Sequence, residues 1–180
     1  IVALAPWSPK ETYELTVSAF NISEKFRTPV VLLSDAIVGH MSEDMVVPDP
    51  STLQIVERKK PTVPPEEYLP YRADEDGVPP MASFGDGYIW YTTGIVHDET
   101  GFPCTGNPKM IDRALRRLMS KITKHEAEIT KHEGYFLEGA DVVVVAYGSV
   151  ARSASEAVDM ARQQGIKAGL LRPITIWPFP

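Results

Sequence analysis

The sequence predicts an α/β fold, because two of its segments carry the pattern of a strand, a helix and a second strand. In the clearer segment, residues 142–147 form a continuous apolar, valine-rich run that is typical of a strand buried on both faces. Apolar residues then recur at helical spacing over residues 150–161, and residues 166–171 read as a second strand. In such a β-α-β unit the helix forms a right-handed crossover connection between two parallel strands of one sheet.

The N-terminal part of the chain predicts the same arrangement. Residues 1–5 are a short apolar strand candidate. Ser8 at the N-cap and Glu11 three residues later mark the start of a helix, which we expect to run to about Arg27. Residues 30–33 then form another buried strand. The chain therefore carries parts of two parallel-sheet domains with helices on both faces of each sheet.

The middle of the chain differs in composition, because most of its 16 prolines lie there. We interpret residues 47–106 as an extended, proline-rich connector. It joins one partial three-layer α/β domain at residues 1–46 to a second one at residues 107–180. Within the connector, the aromatic and β-branched residues of 88–96 predict a strand.

A second helix is predicted from Asn107, at the N-cap, to about His132. Its apolar residues follow a helical period, and we expect the basic residues on its other side to form a solvated face rather than a site for an acidic partner. These basic residues are Lys109, Arg113, Arg116, Arg117, Lys121 and Lys124.

The composition limits the kinds of molecule and cofactor that this chain is expected to bind. The net charge of −6 gives no reason to expect nucleic acid or an anionic membrane. No apolar run approaches the roughly 20 residues that span a bilayer. Cys104 is the only cysteine, which excludes an internal disulfide, fits a cytoplasmic location and excludes an iron–sulfur cluster held by this chain alone.

Two motifs that suggest cofactor binding lack the context they need. Gly85-Asp86-Gly87 resembles the start of a diphosphate-metal motif, but a proline-rich segment precedes it instead of a buried strand. We therefore predict a glycine-rich turn and no metal site. Gly148 follows a strand but stands alone, where a dinucleotide-binding turn needs three glycines.

The candidate functional residues are His40 and Glu43, with His97, Asp98 and Glu99. Each group follows a predicted strand, at the end where α/β proteins place their ligands. A histidine beside carboxylates can move protons or bind a metal. For the His97 group, the following Gly101-Phe102-Pro103 suggests an alternative, a tight loop whose polar side chains hydrogen-bond the backbone. As a functional hypothesis, these loops line or support a cleft between the domains.

Several strings of residues, taken together, resemble one protein family. They are similar, in order and along the whole chain, to the α subunit of 2-oxoacid:ferredoxin oxidoreductases of the 2-oxoglutarate type. The strings are Ser8-Pro9-Lys10-Glu11, Gly39-His40-Met41-Ser42-Glu43, Thr93-Gly94-Ile95-Val96-His97-Asp98-Glu99-Thr100-Gly101, Ala146-Tyr147-Gly148-Ser149 and Leu171-Arg172-Pro173-Ile174-Thr175-Ile176-Trp177-Pro178-Phe179-Pro180.

The resemblance implies an enzyme that cleaves a 2-oxoacid on thiamine diphosphate, transfers the acyl group to coenzyme A and reduces ferredoxin. Residues 1–46 would then end a pyrimidine-binding domain, and residues 107–180 would begin a transketolase C-terminal-like domain. The thiamine diphosphate, its Mg²⁺ and the iron–sulfur cluster would bind mainly outside this chain, with a β subunit as partner in an oligomer. The family's substrate motif would precede Ile1, so we expect the 180 residues alone to be inactive.

Two alternatives remain open. The substrate could be pyruvate or a branched-chain 2-oxoacid, because substrate choice depends on groups outside these residues. A different class of function is a non-catalytic module that docks a partner through the connector and the basic helix.

Overall fold

Six strands form two three-stranded sheets in a computed structural model that describes residues 1–180. The sheet orders are β2-β1-β6 and β3-β5-β4. The strands are β1 (Val2–Leu4), β2 (Val30–Leu32), β3 (His132–Tyr135), β4 (Val142–Val145), β5 (Ala168–Pro173) and β6 (Thr175–Trp177).

Five α-helices accompany the strands, and none of them is long and apolar enough to cross a membrane. Two further helical turns of the 3₁₀ type lie in the proline-rich segment. The α-helices are α1 (Pro9–Phe26), α2 (Ala36–His40), α3 (Pro108–Thr123), α4 (Glu126–Ile129) and α5 (Gly148–Gln163).

The chain divides into two compact units, which we call the first unit and the second unit. The first unit contains Ile1–Ile22, Thr28–Ile55 and Glu126–Pro180, and therefore both sheets. The second unit contains Ser23–Arg27 and Val56–His125, and therefore most of the proline-rich segment and α3. The domain boundaries at residues 46 and 106 remain a prediction.

Both predicted β-α-β units are present. β1 pairs in parallel with β2 after the α1 crossover, with Val2 opposite Val30. β4 pairs in parallel with β5 after the α5 crossover, with Val142 opposite Ala168. The α/β prediction is therefore confirmed, and its parallel pairs are correct.

The expectation of wholly parallel sheets was wrong. β6 runs antiparallel to β1, and β3 runs antiparallel to β5 with His132 opposite Pro173. β3 was missed because His132–Tyr135 contains no apolar alternation and is held through its backbone. The helix that was predicted to reach about His132 instead ends at Thr123 and is followed by the short α4.

The strand predicted at residues 88–96 was also wrong. Strand propensity reflects packing against neighbouring strands, and this segment has no ladder to join. The only pairing nearby is an isolated bridge between His97 and Pro103.

The valines of β4 are not buried on both faces as predicted, since they are between 38% and 57% exposed. β4 is the edge strand of its sheet, and the apolar cluster beneath α5 centres on β5. This cluster consists of Ala146, Ala151, Val158, Ala168 and Leu170.

Candidate functional site

His40 is the last residue of α2, and its side chain is exposed in the first unit. Glu43 follows shortly after and pairs with Arg152 of α5, at 3.0 Å between Oε1 and Nη1. The same Arg152 nitrogen lies 3.3 Å from the sulfur of Met41. The loop after His40 is thus fixed to α5 by one arginine, and the Glu43 carboxylate serves this attachment.

Asp35 ties the beginning of α2 to the beginning of α5. One carboxylate oxygen accepts a hydrogen bond from the Val38 backbone N–H at 2.9 Å, and the other accepts one from the Ser149 N–H at 2.8 Å. These backbone bonds, led by that from Val38, hold the pKa of Asp35 below its usual value.

The Asp35 bond also explains Gly148. This glycine has a φ of +59°, and a Cβ placed on it would lie 2.9 Å from the Asp35 carboxylate. The helix N-terminus, where a nucleotide phosphate would sit in a dinucleotide-binding fold, is capped by the protein's own carboxylate. The start of α5 is therefore already occupied by Asp35 and does not present free N–H groups to a phosphate.

In the second unit, His97, Asp98 and Glu99 lie in one tight loop. Asp98 accepts hydrogen bonds from the Thr100 side chain and from the backbone N–H groups of Thr100 and Phe102. The Thr100 hydroxyl, followed by those backbone groups, keeps the pKa of Asp98 low. Glu99 pairs with Arg72 at 3.0 Å. Asp98 therefore bonds the backbone of its own loop, whereas Glu99 pairs with the side chain of an exposed arginine.

The His97 ring is held differently. Its Nδ1 lies 3.0 Å from the backbone oxygen of Asp98, and its ring centroid lies 3.8 Å from that of Tyr71. Because a carbonyl oxygen can only accept, Nδ1 is the donor in this contact, and Nε2 makes no hydrogen bond within the chain. Of the three residues in this loop, His97 is the one whose geometry leaves a group for proton transfer.

The predicted turn at Gly85-Asp86-Gly87 is confirmed, with φ near +90° at both glycines. Asp86 accepts from the Ser83 N–H at 3.0 Å and lies 3.7 Å from the Lys60 ammonium. Its carboxylate thus stabilises the turn.

Arg172 forms an ion-pair network that the sequence did not reveal. Its guanidinium makes two bonds to Glu11, at 2.6 and 2.8 Å, and a third to Glu133 at 3.0 Å. It also stacks at 3.9 Å on the Trp7 ring. Burial opposes the charge, but the interactions with Glu11 and Glu133 together outweigh burial and raise the pKa of Arg172.

Arg172, Glu133 and Trp7 also border a cavity of about 330 Å³ in the first unit. Glu133 and Asp159 give this cavity carboxylate groups, and Tyr135 donates a hydrogen bond to Asp159 at 2.9 Å. A single arginine inside an apolar strand pattern could have indicated this network. A guanidinium that is buried in a strand requires carboxylate partners.

Arg27 supplies donors to the proline-rich segment of the second unit. Its guanidinium bonds to the carbonyl oxygens of Pro70 and Pro80 and stacks against the rings of Tyr71 and Trp90. Prolines lack an N–H and cannot build a ladder, so carbonyl groups near them need donors from side chains.

Two cations of α3 act in the same way, which corrects the prediction of a wholly solvated basic face. Arg117 donates to the Gly77 carbonyl at 3.1 Å, and Lys121 donates to the Arg27 carbonyl at 2.9 Å. Lys121 is only 2% exposed. Burial, and then the charges of Arg117 and Arg27, lower its pKa to about 8. Nothing in the sequence distinguished Lys121 from the exposed basic residues of α3.

Two family models match the chain. Residues 1–117 match pyruvate flavodoxin/ferredoxin oxidoreductase, thiamine diphosphate-binding, which is more than half of the chain. The chain belongs to the pyruvate flavodoxin/ferredoxin oxidoreductase family. Residues 140–180 match core domain II of pyruvate:ferredoxin oxidoreductase. The resemblance expected from the sequence is therefore confirmed.

Individual members of the oxidoreductase family are similar along the whole chain. The 2-oxoglutarate synthase subunit KorA of Methanothermobacter thermautotrophicus is 46% identical over 180 residues, covering 100% of this chain and 47% of the relative. KorA of Methanocaldococcus jannaschii is 43% identical, with 100% and 48% covered. The ketoisovalerate oxidoreductase subunit VorB of M. thermautotrophicus is 33% identical, with 99% and 43% covered.

A solved structure shares the fold. It is a 2-oxoglutarate:ferredoxin oxidoreductase from Magnetococcus marinus with 2-oxoglutarate, coenzyme A and succinyl-CoA bound. The TM-score is 0.86 at 27% identity, and the match covers 99% of this chain and 31% of that one. This chain spans about half the length of the curated relatives that it matches.

The residues described here do not fit the diphosphate and metal of thiamine diphosphate. No group of three or more His, Cys, Asp or Glu side chains is arranged to hold a metal ion. Asp35 and Asp86, which follow a strand and a glycine-rich turn, both accept from backbone N–H groups. One cysteine is likewise too few for an iron–sulfur cluster.

Proposed function

We propose that this chain is part of the α subunit of a thiamine-diphosphate-dependent 2-oxoacid:ferredoxin oxidoreductase whose substrate is 2-oxoglutarate. The observation that carries the proposal is the 46% identity to a 2-oxoglutarate synthase subunit, which covers all 180 residues of this chain. The solved relative with 2-oxoglutarate and succinyl-CoA bound supports the same substrate.

The proposed reaction is an oxidative decarboxylation. The carboxyl group next to the ketone leaves as CO₂, the remaining acyl group is transferred to the sulfur of coenzyme A, and the electrons pass to ferredoxin. Thiamine diphosphate, when bound, supplies the electron sink for breaking the carbon–carbon bond. We assign its diphosphate and Mg²⁺, with the iron–sulfur cluster, to protein outside these residues.

Within this reaction the chain contributes positioned loops. Asp35 and Arg152 fix the loop that carries His40, and the Asp98 turn fixes His97 with Nε2 available. We propose that both histidines support the substrate-binding region of the complete enzyme, and that Glu43, Asp98 and Glu99 maintain the two loops.

The partners follow from the same assignment. Relatives of this chain are named as subunits, which indicates a multi-subunit enzyme. We propose a β subunit as the direct partner, with ferredoxin and coenzyme A acting through the complex in an oligomer. We also infer a cytoplasmic location, which the absence of any possible internal disulfide supports.

The proposal is tested by assembling the full-length chain with its partner subunit and following the reduction of a viologen dye without oxygen. Reduction should require 2-oxoglutarate and coenzyme A, and omission of either should abolish it. A complex that turns over no 2-oxoacid would favour the non-catalytic docking module instead.

A second substrate class has its own support, because the ketoisovalerate oxidoreductase subunit is 33% identical over 179 residues. A comparison of kcat/KM for 2-oxoglutarate, pyruvate and 2-oxoisovalerate in the same complex distinguishes the classes. We expect the highest value for 2-oxoglutarate. A higher value for 2-oxoisovalerate would instead assign the chain to an enzyme whose substrates are branched-chain 2-oxoacids.

A further inference from the structure

The segments that follow the carboxyl ends of two strands meet within the first unit. β2 ends at Leu32 and β4 ends at Val145. Asp35, shortly after β2, accepts a hydrogen bond from the backbone N–H of Ser149, shortly after β4, at 2.8 Å. Because α/β proteins bind their ligands beyond the carboxyl ends of the strands, side chains that act on a substrate are expected at this meeting point.

Arg152, one turn along α5 from Ser149, makes a second connection at the same place. Its Nη1 lies 3.0 Å from Oε1 of Glu43 and 3.3 Å from the sulfur of Met41. The same nitrogen donates to the backbone carbonyl oxygen of Trp7 at 3.4 Å. Trp7 follows β1, and the other two residues follow β2, so one side chain connects α5 with the segments beyond both strands.

His40 lies between these two connections. On its N-terminal side, Asp35 caps α2 by accepting from the Val38 N–H at 2.9 Å. On its C-terminal side, Arg152 holds the loop through Glu43. The His40 side chain is exposed, so its direction depends on the backbone that the two connections hold.

The pair of Arg152 and Glu43 contributes little to stability. The two side chains are 40% and 31% exposed, and water screens an ion pair of this kind. Loss of the arginine should therefore release the loop without unfolding the first unit, so its main effect is on position.

We propose that Arg152 is a positioning residue of the proposed reaction, which holds His40 in the orientation that turnover requires. This inference rests on the proposed function, in which His40 supports the substrate-binding region. A displacement of about 1 Å can lower turnover by about a hundredfold, so partial release of the loop is expected to lower kcat by about tenfold.

The test measures kcat of the full-length chain assembled with its partner subunit, by dye reduction with 2-oxoglutarate and coenzyme A. Arg152→Met should lower kcat by about tenfold. Arg152→Lys should stay within about threefold of the wild type, because all three contacts use one nitrogen and an ammonium group can replace it. The matched control is Arg162→Met, which removes a bond from the same helix to the Ala168 carbonyl and should keep kcat within about threefold.

A double variant distinguishes positioning from a general structural role. His40→Ala with Arg152→Met should have the kcat of His40→Ala alone, because the arginine acts through the histidine. Hydrogen exchange of the backbone of residues 36–43 gives a readout that does not depend on turnover. Arg152→Met should increase exchange in this segment, and Arg162→Met should not.

Four results would overturn the proposal. They are an unchanged kcat in Arg152→Met, an equal loss in Arg152→Lys, multiplied losses in the double variant, and a lower melting temperature of Arg152→Met, which would make the arginine a structural residue. A wild-type complex that turns over no 2-oxoacid would reject the proposed function and this role with it. The exchange measurement would still report whether Arg152 holds the loop.

Discussion

Lys121 is a buried ammonium group whose bonding partner is a neutral carbonyl oxygen rather than a carboxylate. Two guanidinium groups, those of Arg27 and Arg117, lie near enough to lower its pKa further. The Arg27 carbonyl lies directly after the C-terminal end of α1, where carbonyl groups lack intrahelical partners and need other donors. Lys121 therefore makes a hydrogen bond to the carbonyl oxygen, while burial and the two neighbouring cations disfavour its charged form.

This destabilisation of the charged form predicts how stability depends on pH. The pKa of Lys121 is about 8 in the folded chain, below the ordinary value of 10.5, so the unfolded chain holds more protons between these values. The free energy of unfolding should therefore gain a contribution as pH rises from about 8 to 10.5, on the order of 3 kcal/mol at most.

Lys121→Met should remove this contribution, and urea titrations of both proteins at pH 7.5 and about 10 measure it. Lys109→Met changes an exposed lysine of the same helix and serves as the control. An identical pH dependence in Lys121→Met and wild type would contradict the account.

The two candidate histidines give a second prediction at this scale. His40→Ala or His97→Ala in the complete enzyme should lower kcat by about tenfold or more, within the range that loss of an acid–base group produces. The melting temperature should change little. His132→Ala, at an exposed position of β3, should alter neither. Unchanged turnover in both variants would leave His40 and His97 as structural loop residues.

At the scale of elements, the helix-forming signals were the most reliable. Ser8 and Glu11 predicted the start of α1, where the Glu11 N–H bonds to Ser8 Oγ at 3.1 Å. Asn107 likewise caps α3 through the Met110 N–H. Such local signals were sufficient because both partners of the bond lie within one turn of helix.

Elements held by distant partners were predicted less well. β3 depends on backbone bonds to β5, and the Asp35 cap of α5 comes from 114 residues away. Residues 88–96 have a composition typical of strands, but no neighbouring strand pairs with them. These outcomes depend on tertiary contacts that a single sequence does not display.

The Asp35 cap predicts an unequal response of two glycines to alanine substitution. Gly148→Ala combines a left-handed φ with a contact of 2.9 Å to Asp35, whereas Gly165→Ala has a φ of +86° and open space. Gly148→Ala should be more destabilising by about 1 kcal/mol or more in urea titrations. Equal losses would contradict the close packing at the start of α5.

At the scale of the whole molecule, Arg172 joins segments that are far apart in sequence. It bonds to Glu11, which is 161 residues away, and to Glu133 in the antiparallel strand β3. Removing one partner of a buried ion pair leaves the other charge uncompensated. This network therefore connects α1, β3 and β5 within the first unit.

Arg172→Met should lower the free energy of unfolding by about 3 kcal/mol. Glu11→Gln keeps the shape of the side chain and removes its charge, so the double variant should lose less than the sum of the single variants. Urea titrations of the four proteins measure the coupling. Strictly additive losses would contradict the proposed ion pair.

The family could be identified only from several short sequence segments taken together, because no single motif is specific enough to identify it. The chemistry itself could not be derived from these residues. Three carboxylates in motifs that suggested chemistry have structural partners instead. Asp86 and Asp98 accept hydrogen bonds within turns, and Glu99 pairs with an arginine. The two candidate histidines remain, with His40 exposed and His97 half-buried.

The most direct test of this account is the initial rate of dye reduction by the full-length chain assembled with its partner subunit. We predict turnover that requires 2-oxoglutarate, coenzyme A and both subunits, with succinyl-CoA as product. Turnover by either subunit alone, or none with any 2-oxoacid in the assembled complex, would contradict it.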